Sequence, residues 1–296
     1  MDLSYWRYTL TPHRRLSSVA RPGPREGALL RVDDGYADVH PWPELGDLPL
    51  DEQLARLARG ETTNLTRASL ACAKLDGEAR ANNRSLFEGL TIPLSHWTGE
   101  GAPAAFDTVK VKAGSDFRFA ISDFRGKRVR LDFNATLTPE QFLRIAETLP
   151  RDQIDFIEDP CPYDAAMWRT LRDQTGLRLA LDREIAFDAV DVLVIKPAIA
   201  DLRNHSTVDG QHSTLNIAPE VVVTSYLDHP LGQFHAAYIA ATNDVSPRCG
   251  LFTHVVYEPN AFSECIEADG ARLLPPAGSG LGFDDLLRSL PWKRLA

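Results

Sequence analysis

No stretch of the 296-residue sequence reaches the ~20 consecutive apolar residues that a helix needs to cross a bilayer. The opening residues, MDLSYWRYTLTPHRR, lack the apolar core of a secretory signal, so a cytoplasmic protein is expected. Cysteine is scarce: Cys72, Cys161, Cys249 and Cys265 are the only four. None sits in a CxxC pair and their spacings suit no zinc site, which leaves reduced, structurally incidental thiols as the expectation. Dense Lys/Arg runs are also missing, and 32 basic against 41 acidic residues give a formal charge of −9. That balance argues against nucleic acid or an anionic membrane as the main partner. The eight histidines form no HExxH pair, and no GxGxxG or P-loop follows an early strand. The glycines from Gly278 to Gly282 read as a turn, because no strand precedes them and no lysine follows.

What is present is an ordinary globular composition, 44% hydrophobic and 25% charged, in a chain long enough for one large barrel or two domains. The first ~90 residues read as a small α+β unit. Strand-like runs at 5–11, 28–32 and 36–40 are followed by two helices, the second and third runs joined by Asp33-Asp34-Gly35, a hairpin signal. Leu50, Leu54, Leu57 and Ala58 mark the apolar face of the first helix, which ends at Gly60. Leu65, Ala68, Cys72, Leu75 and Ala79 mark the second. From about Ile92 the pattern becomes short β-rich runs alternating with helical stretches: 108–112, 128–133, 155–157, 178–181, 191–195 and 220–224. Their near-continuous apolar character predicts parallel strands buried on both faces. Thr138-Pro139-Glu140-Gln141 supplies a helix start with a capping box. Between 183 and 190 there is barely room for a helix, so at least one helix of the repeat is expected to be a single turn or missing.

The chemistry stands at the strand ends. Lys110 and Lys112 in VKVKAG share one strand face; RVRLDFN ends on Asp132, with Asn134 two residues on. DFIEDP ends on Glu158, LALD on Asp182 and DVLVIKP on Lys196. In a (β/α) barrel such C-terminal strand ends open onto one mouth, where three carboxylates and three lysines would meet. Three carboxylates make a hard, all-oxygen site that selects Mg²⁺, with Mn²⁺ as substitute, over zinc or copper. A divalent cation stabilises the charge that builds on a substrate carboxylate when its α-proton leaves. A lysine acts as base only when neutral, and a second lysine and a metal nearby both lower its pKa. Each residue alone is an ordinary solvated rim charge. The ordered set Lys-x-Lys, Asp, Glu, Asp, Lys on successive strands is what points to function.

With its order of KxK, DxN, E-D-P, D-x-E and K-P, the sequence resembles the muconate-lactonising branch of the enolase superfamily, over roughly residues 5 to 289. The resemblance implies an α/β fold: a (β/α)7β TIM-like barrel with an N-terminal α+β capping domain that the C-terminal segment completes. It implies a capping domain at 1–90, with 260–296 returning to it, and a barrel at 91–259 whose first strand is 92–97. It also implies Asp132, Glu158 and Asp182 as Mg²⁺ ligands, Lys112 as base and Lys110 as the cation beside the substrate carboxylate. Lys196 would stabilise charge from the opposite face, and Asn134 would support the metal site. Ser225 and Arg130 are the further candidates for contact with substrate. The sequence departs from the pattern at Arg183, Leu137 and the segment TSYLDHPLG.

The expected reaction is removal of a proton next to a carboxylate with loss of water, as in the o-succinylbenzoate synthases of menaquinone synthesis. The segment after Val223 lacks the Asp-x-Asp of dipeptide epimerases, with Asp228 standing alone. N-Acylamino acid racemisation or dipeptide epimerisation is the alternative, and an inactive barrel used as a scaffold is the third. The expected partner is a small carboxylate substrate; monomer and homo-oligomer both remain open.

Overall fold

Two residues, Asp33 and Asp34, turn the chain between strands β2 (Arg25–Val32) and β3 (Gly35–Val39), which pair antiparallel from Val32↔Gly35 to Ala28↔Val39. Asp33 takes the positive φ of 51° that such a tight turn demands. Strand β1 (Leu3–Leu10) pairs with the other edge of β2, and the short C-terminal strand β12 (Lys293–Arg294) pairs with β1, giving the order β12-β1-β2-β3. The computed structural model describes residues 2–16, 19–98, 101–113, 121, 123–182, 186, 188–200, 219–245 and 247–295.

Helices α1 (Leu50–Ala58) and α2 (Asn64–Ala81) follow where the apolar spacing puts them. Thr63 caps α2 by accepting from Thr66 N–H, while the Thr66 hydroxyl accepts from Thr63 N–H at 2.9 Å. Leu54 and Leu57 of α1 pack with Leu30 and Val39 of the sheet. Asp76 of α2 is fully buried and accepts from Tyr36 N–H at 2.8 Å and Leu281 N–H at 2.6 Å. The glycine-rich run is thus the turn the sequence suggests, and a carboxylate of the same chain fills its concave side. Gly280 is needed there: its φ is 57° and a side-chain carbon would clash with Asp76 Oδ1.

A second, parallel sheet runs in strict chain order β4 (Thr108–Lys112), β5 (Arg128–Asp132), β6 (Ile154–Glu158), β7 (Leu179–Asp182), β8 (Val192–Ile195) and β9 (Glu220–Val223). Helix α3 (Pro139–Ala146) carries the predicted capping box, Thr138 N–H donating to Gln141 Oε1 at 2.8 Å. Helix α4 (Ala165–Thr175) precedes β7, and α5 (Pro230–Thr242) follows β9. Of the short link between β7 and β8, residues 183–185 and 187 lie outside the described residues, and no helix stands among the described ones. The chain closes with β10 (Ala268–Asp269), β11 (Arg272–Leu273) and α6 (Asp284–Ser289). Residues 92–97 form no continuous strand; only bridges occur, Ser95↔Cys249 and Trp97↔Val109. With Thr224↔Gly250 these bridges link β9 back to β4, so the parallel sheet is curled.

Strand alternation sorts the side chains. Val109, Leu131, Ile157, Leu179 and Leu193 point outward into one core with Phe142 and Trp168 of the covering helices. Phe156, Ala180, Val192, Val194 and Val222 form a separate cluster inside the curl. The last inward positions on these strands are Lys112, Asp132, Glu158 and Asp182, so the apolar filling ends where the charges begin.

Candidate active site

Register explains how the charges meet. Lys112 pairs level with Asp132, and Asp132 with Glu158. Lys112 Nζ donates to Asp132 Oδ2 and, at 3.3 Å, to Asn134 Oδ1. Lys110 Nζ lies 2.9 Å from Asp132 Oδ2 and 2.6 Å from Glu158 Oε1. Lys196 Nζ donates to Asp182 Oδ2. All three lysines line one cavity of about 800 Å³, together with Ser225 and with Arg14, Arg15 and Leu16 of the N-terminal loop. The Lys110 side chain is 9% exposed and that of Lys112 28%, so Lys112 is the more open to the cavity.

The carboxylates lie beneath. Burial alone would raise the Asp132 carboxyl, but the ammonium groups of Lys110 and Lys112 outweigh it and hold the group well below the usual range. Glu158 is pushed up to about 7, first by burial and then by the charge of Asp132. Burial works to lower Lys110, yet the charges of Asp132, Glu158 and Asp182 outweigh it and hold its pKa well above the ordinary lysine value. A fourth carboxyl, Asp159, accepts from Asp182 N–H at 3.1 Å and is raised by burial and by the charge of Asp182.

Among the described residues no three acidic, histidine or cysteine side chains are gathered into a ready-made metal cage. The donor set nonetheless fits a hard dication. It consists only of carboxylate oxygens, and Asp182 Oδ1 is buried without a hydrogen-bond partner.

One sequence expectation needs adjustment. Arg130 shares the inward face with Asp132 but sits a layer below the mouth and does not line the cavity. Its guanidinium donates to Asp155 Oδ2 at 2.8 Å and Arg248 O at 2.6 Å, faces His96 Nδ1 at 2.9 Å, and lies 4.6 Å from the centre of the Phe156 ring. Its donors are committed to the core, which makes it a structural residue. Arg183 lies outside the described residues. Neutral groups that no strand-end charge marks also stand on the cavity wall: His96, Thr98, Thr224 and Thr253. The hydroxyls of Thr98 and Thr224 are buried without partners. Thr224 ends a strand just as Lys196 does, so the same positional rule applied to hydroxyl residues would have found it.

Comparison with known proteins fits this arrangement. An o-succinylbenzoate synthase from Bdellovibrio bacteriovorus is 35% identical over 333 aligned positions, spanning 100% of this chain and 99% of the relative. The chain belongs to the o-succinylbenzoate synthase family. The family model for the "O-succinylbenzoate synthase, N-terminal domain" matches residues 3–79, which contain β1 to β3, α1 and most of α2. Among solved structures, a dipeptide epimerase from Cytophaga hutchinsonii, complexed with Mg and the dipeptide D-Ala-L-Val, superposes with a TM-score of 0.74. That match covers 100% of this chain and 99% of the epimerase at 15% identity. A mandelate racemase/muconate lactonizing protein from Herpetosiphon aurantiacus gives a TM-score of 0.73 at 15% identity, covering 95% and 97% of the two chains. At such identities these structures speak for the fold alone, a mixed α/β fold. No helix among the described residues is long and apolar enough to cross a membrane.

Proposed function

We propose that this member of the o-succinylbenzoate synthase family is a Mg²⁺-dependent lyase that removes the proton α to a carboxylate and expels a β-hydroxyl as water, forming o-succinylbenzoate. We read the fold as a (β/α)7β barrel over 91–259, capped by 1–90 and by the returning segment 260–296. The observation that carries the reading is that Lys110, Lys112 and Lys196 line one cavity above Asp132, Glu158 and Asp182.

Asp132, Glu158 and Asp182 would hold the metal. When bound, the ion supplies Lewis-acid stabilisation of the negative charge that develops on the substrate carboxylate. Lys110, held in its charged form among the carboxylates, is suited to the cation beside that carboxylate. Lys112, the more accessible of the two, takes the α-proton. Lys196, directly after β8 and so four strands along the sheet from β4, provides positive charge from another side of the cavity. The proton taken by Lys112 and the departing hydroxide together make the water lost, so the reaction needs no other acid. Asn134 keeps Lys112 oriented through its side-chain oxygen, and Ser225 contributes a hydroxyl to the cavity wall. The substrate is a small soluble carboxylate, and the cytoplasm is the compartment we assign.

The single Asp228 after β9 supports dehydration over dipeptide epimerisation, because a free amino group would want a pair of carboxylates there. Incubation with the cyclohexadiene carboxylate precursor, and separately with N-succinyl amino acids, tests the assignment. Formation of the aromatic product is expected; efficient racemisation with negligible dehydration would overturn it.

A further inference from the structure

Gly232 stands early in α5, where a glycine weakens a helix. A side-chain carbon at that position would meet Asp228 Oδ2 at 2.6 Å and Asp38 Oδ2 at 2.9 Å. Two carboxyl groups therefore converge on one point, one from cap strand β3 and one from the segment that leads from β9 into α5. The space beside them is about 10 Å³, room for roughly one water. Asp228 is buried, and its Oδ1 has no hydrogen-bond partner. Asp38 Oδ1 accepts from Tyr8 Oη at 2.6 Å, and its Oδ2 accepts from His229 N–H at 3.0 Å.

The surroundings offer little to balance two negative charges. Tyr8 comes from β1, His40 follows β3, Cys72 faces in from α2, His229 caps α5, His235 lies within it, and Tyr257 comes from the chain beyond it. Burial pushes both His40 and His229 down to about 3, so neither is a cation near neutrality. Arg25 of β2 acts on His40 and Tyr257 but is ion-paired with Glu44 at 2.6 Å. Two carboxyls in one such site cannot both ionise without a large cost. In accord with this, burial lifts Asp228 to about 7 and, with the charge of Asp228, raises Asp38 well above the carboxylate range.

The same segment forms part of the cavity wall. Ser225, three residues before Asp228, hydrogen-bonds through its hydroxyl to Thr253, and Ser225, Leu227 and Thr253 all line the cavity. Leu227 holds a φ of 53°, a left-handed conformation that a leucine keeps only under restraint. The cap supplies that restraint at both ends: Trp42 Nε1 donates to Tyr226 O at 2.8 Å, Tyr226 Oη donates to Asp47 Oδ2 at 2.8 Å, and His229 N–H donates to Asp38.

We propose that Asp38 and Asp228 share one proton across the boundary between cap and barrel, and that this pair is the positioning element fixing the Ser225 and Leu227 wall of the substrate cavity. The proposal deepens the lyase reading and rests on it for the cavity's role. With the proton in place, each carboxyl finds its hydrogen-bond partner; once it is lost, two charges face each other and the wall is released from the cap. Folding raises the pKa of the pair, so its contribution to stability is full below the unfolded carboxylate pKa and declines as pH rises through the folded value.

Thermal unfolding of the full chain across neutral pH, for wild type and for D38N and D228N, tests the shared proton. The wild-type midpoint should fall as pH rises through about 7, and D228N, whose amide supplies the missing hydrogen, should lose that fall. Identical pH dependence in wild type and both variants would overturn the shared proton. Kinetics test the positioning role: D38N should keep kcat/KM within about threefold, while D38L should raise KM about tenfold or more. A lower midpoint in D38L with unchanged KM would reduce Asp38 to a structural residue. If the wild type racemises instead of dehydrating, the reaction assigned above fails, and the same KM comparison is made with the racemised substrate.

Discussion

Lys110 and Glu158 lie on strands that are not neighbours, yet Lys110 Nζ stands 2.6 Å from Glu158 Oε1. Strand β5 runs between them, so a flat sheet would hold their backbones about 9.5 Å apart, at ~4.8 Å per strand. The curl of the sheet turns the inward face concave, and the long lysine side chain passes over Asp132 to reach across. One cation thereby holds two of the three candidate metal ligands, which makes the site a mutual electrostatic cage.

Metal dependence follows from the carboxylate set. Chelation should abolish turnover, and Mg²⁺ or Mn²⁺ should restore it. Saturating Mg²⁺ should also raise the unfolding midpoint, since a ligand at a hundredfold excess over its Kd stabilises the folded state by about 2.7 kcal/mol. Full activity after exhaustive metal removal would end the reading.

The division of labour between the lysines is testable by substitution. Lys112→Ala should lower kcat by about 10³-fold or more with little loss of stability, because its side chain is 28% exposed to the cavity. Lys110→Ala should be destabilising as well as inactivating, since it leaves Glu158 without its ion pair and Asp132 with Lys112 alone, both carboxylates being 1% exposed. A Lys112→Ala enzyme within about tenfold of wild type would move the base elsewhere, with Lys196 next in line.

Gly280→Ala should cost roughly 2 to 4 kcal/mol, read as a shift in urea midpoint at constant slope. The added carbon would collide with Asp76 Oδ1, and the backbone there has a φ of 57°. Asp76 also holds Tyr36 and Leu281, so the loss should appear as loosening of the C-terminal segment in hydrogen exchange. A change below about 0.5 kcal/mol would show that the turn adjusts freely.

Acid should destabilise the protein through its buried histidines. Burial lowers His40 and His229 to about 3 and His254 to about 4, against an unfolded value of about 6.5. Below about pH 6.5 the unfolded chain takes up protons that the folded chain refuses, so this contribution is lost as pH falls through the folded values. His40→Asn should therefore flatten the stability-against-pH curve between about pH 6 and pH 4 by up to about 1 kcal/mol per pH unit. Parallel curves for wild type and variant would show that His40 is not the neutral, buried group described.

By itself the sequence determined the strands and helices, the inward charges and their order along the sheet. These are local properties. Side chains alternate with period two along a strand, helix caps act within four residues, and a charge closing an apolar run marks the strand end wherever that strand is placed. Lys110, Lys112, Asp132, Glu158, Asp182 and Lys196 were legible for this reason. The pairings were not. Only the tertiary structure decided that Arg130 is consumed by Asp155, His96 and Arg248, that Thr98 brings its hydroxyl to the cavity, and that 92–97 joins the sheet by bridges alone. It also decided that Asp38 meets Asp228, 190 positions further along the chain. Such meetings depend on strand register, sheet curvature and the docking of one unit on another, all set by contacts between residues far apart in sequence, which no local pattern encodes.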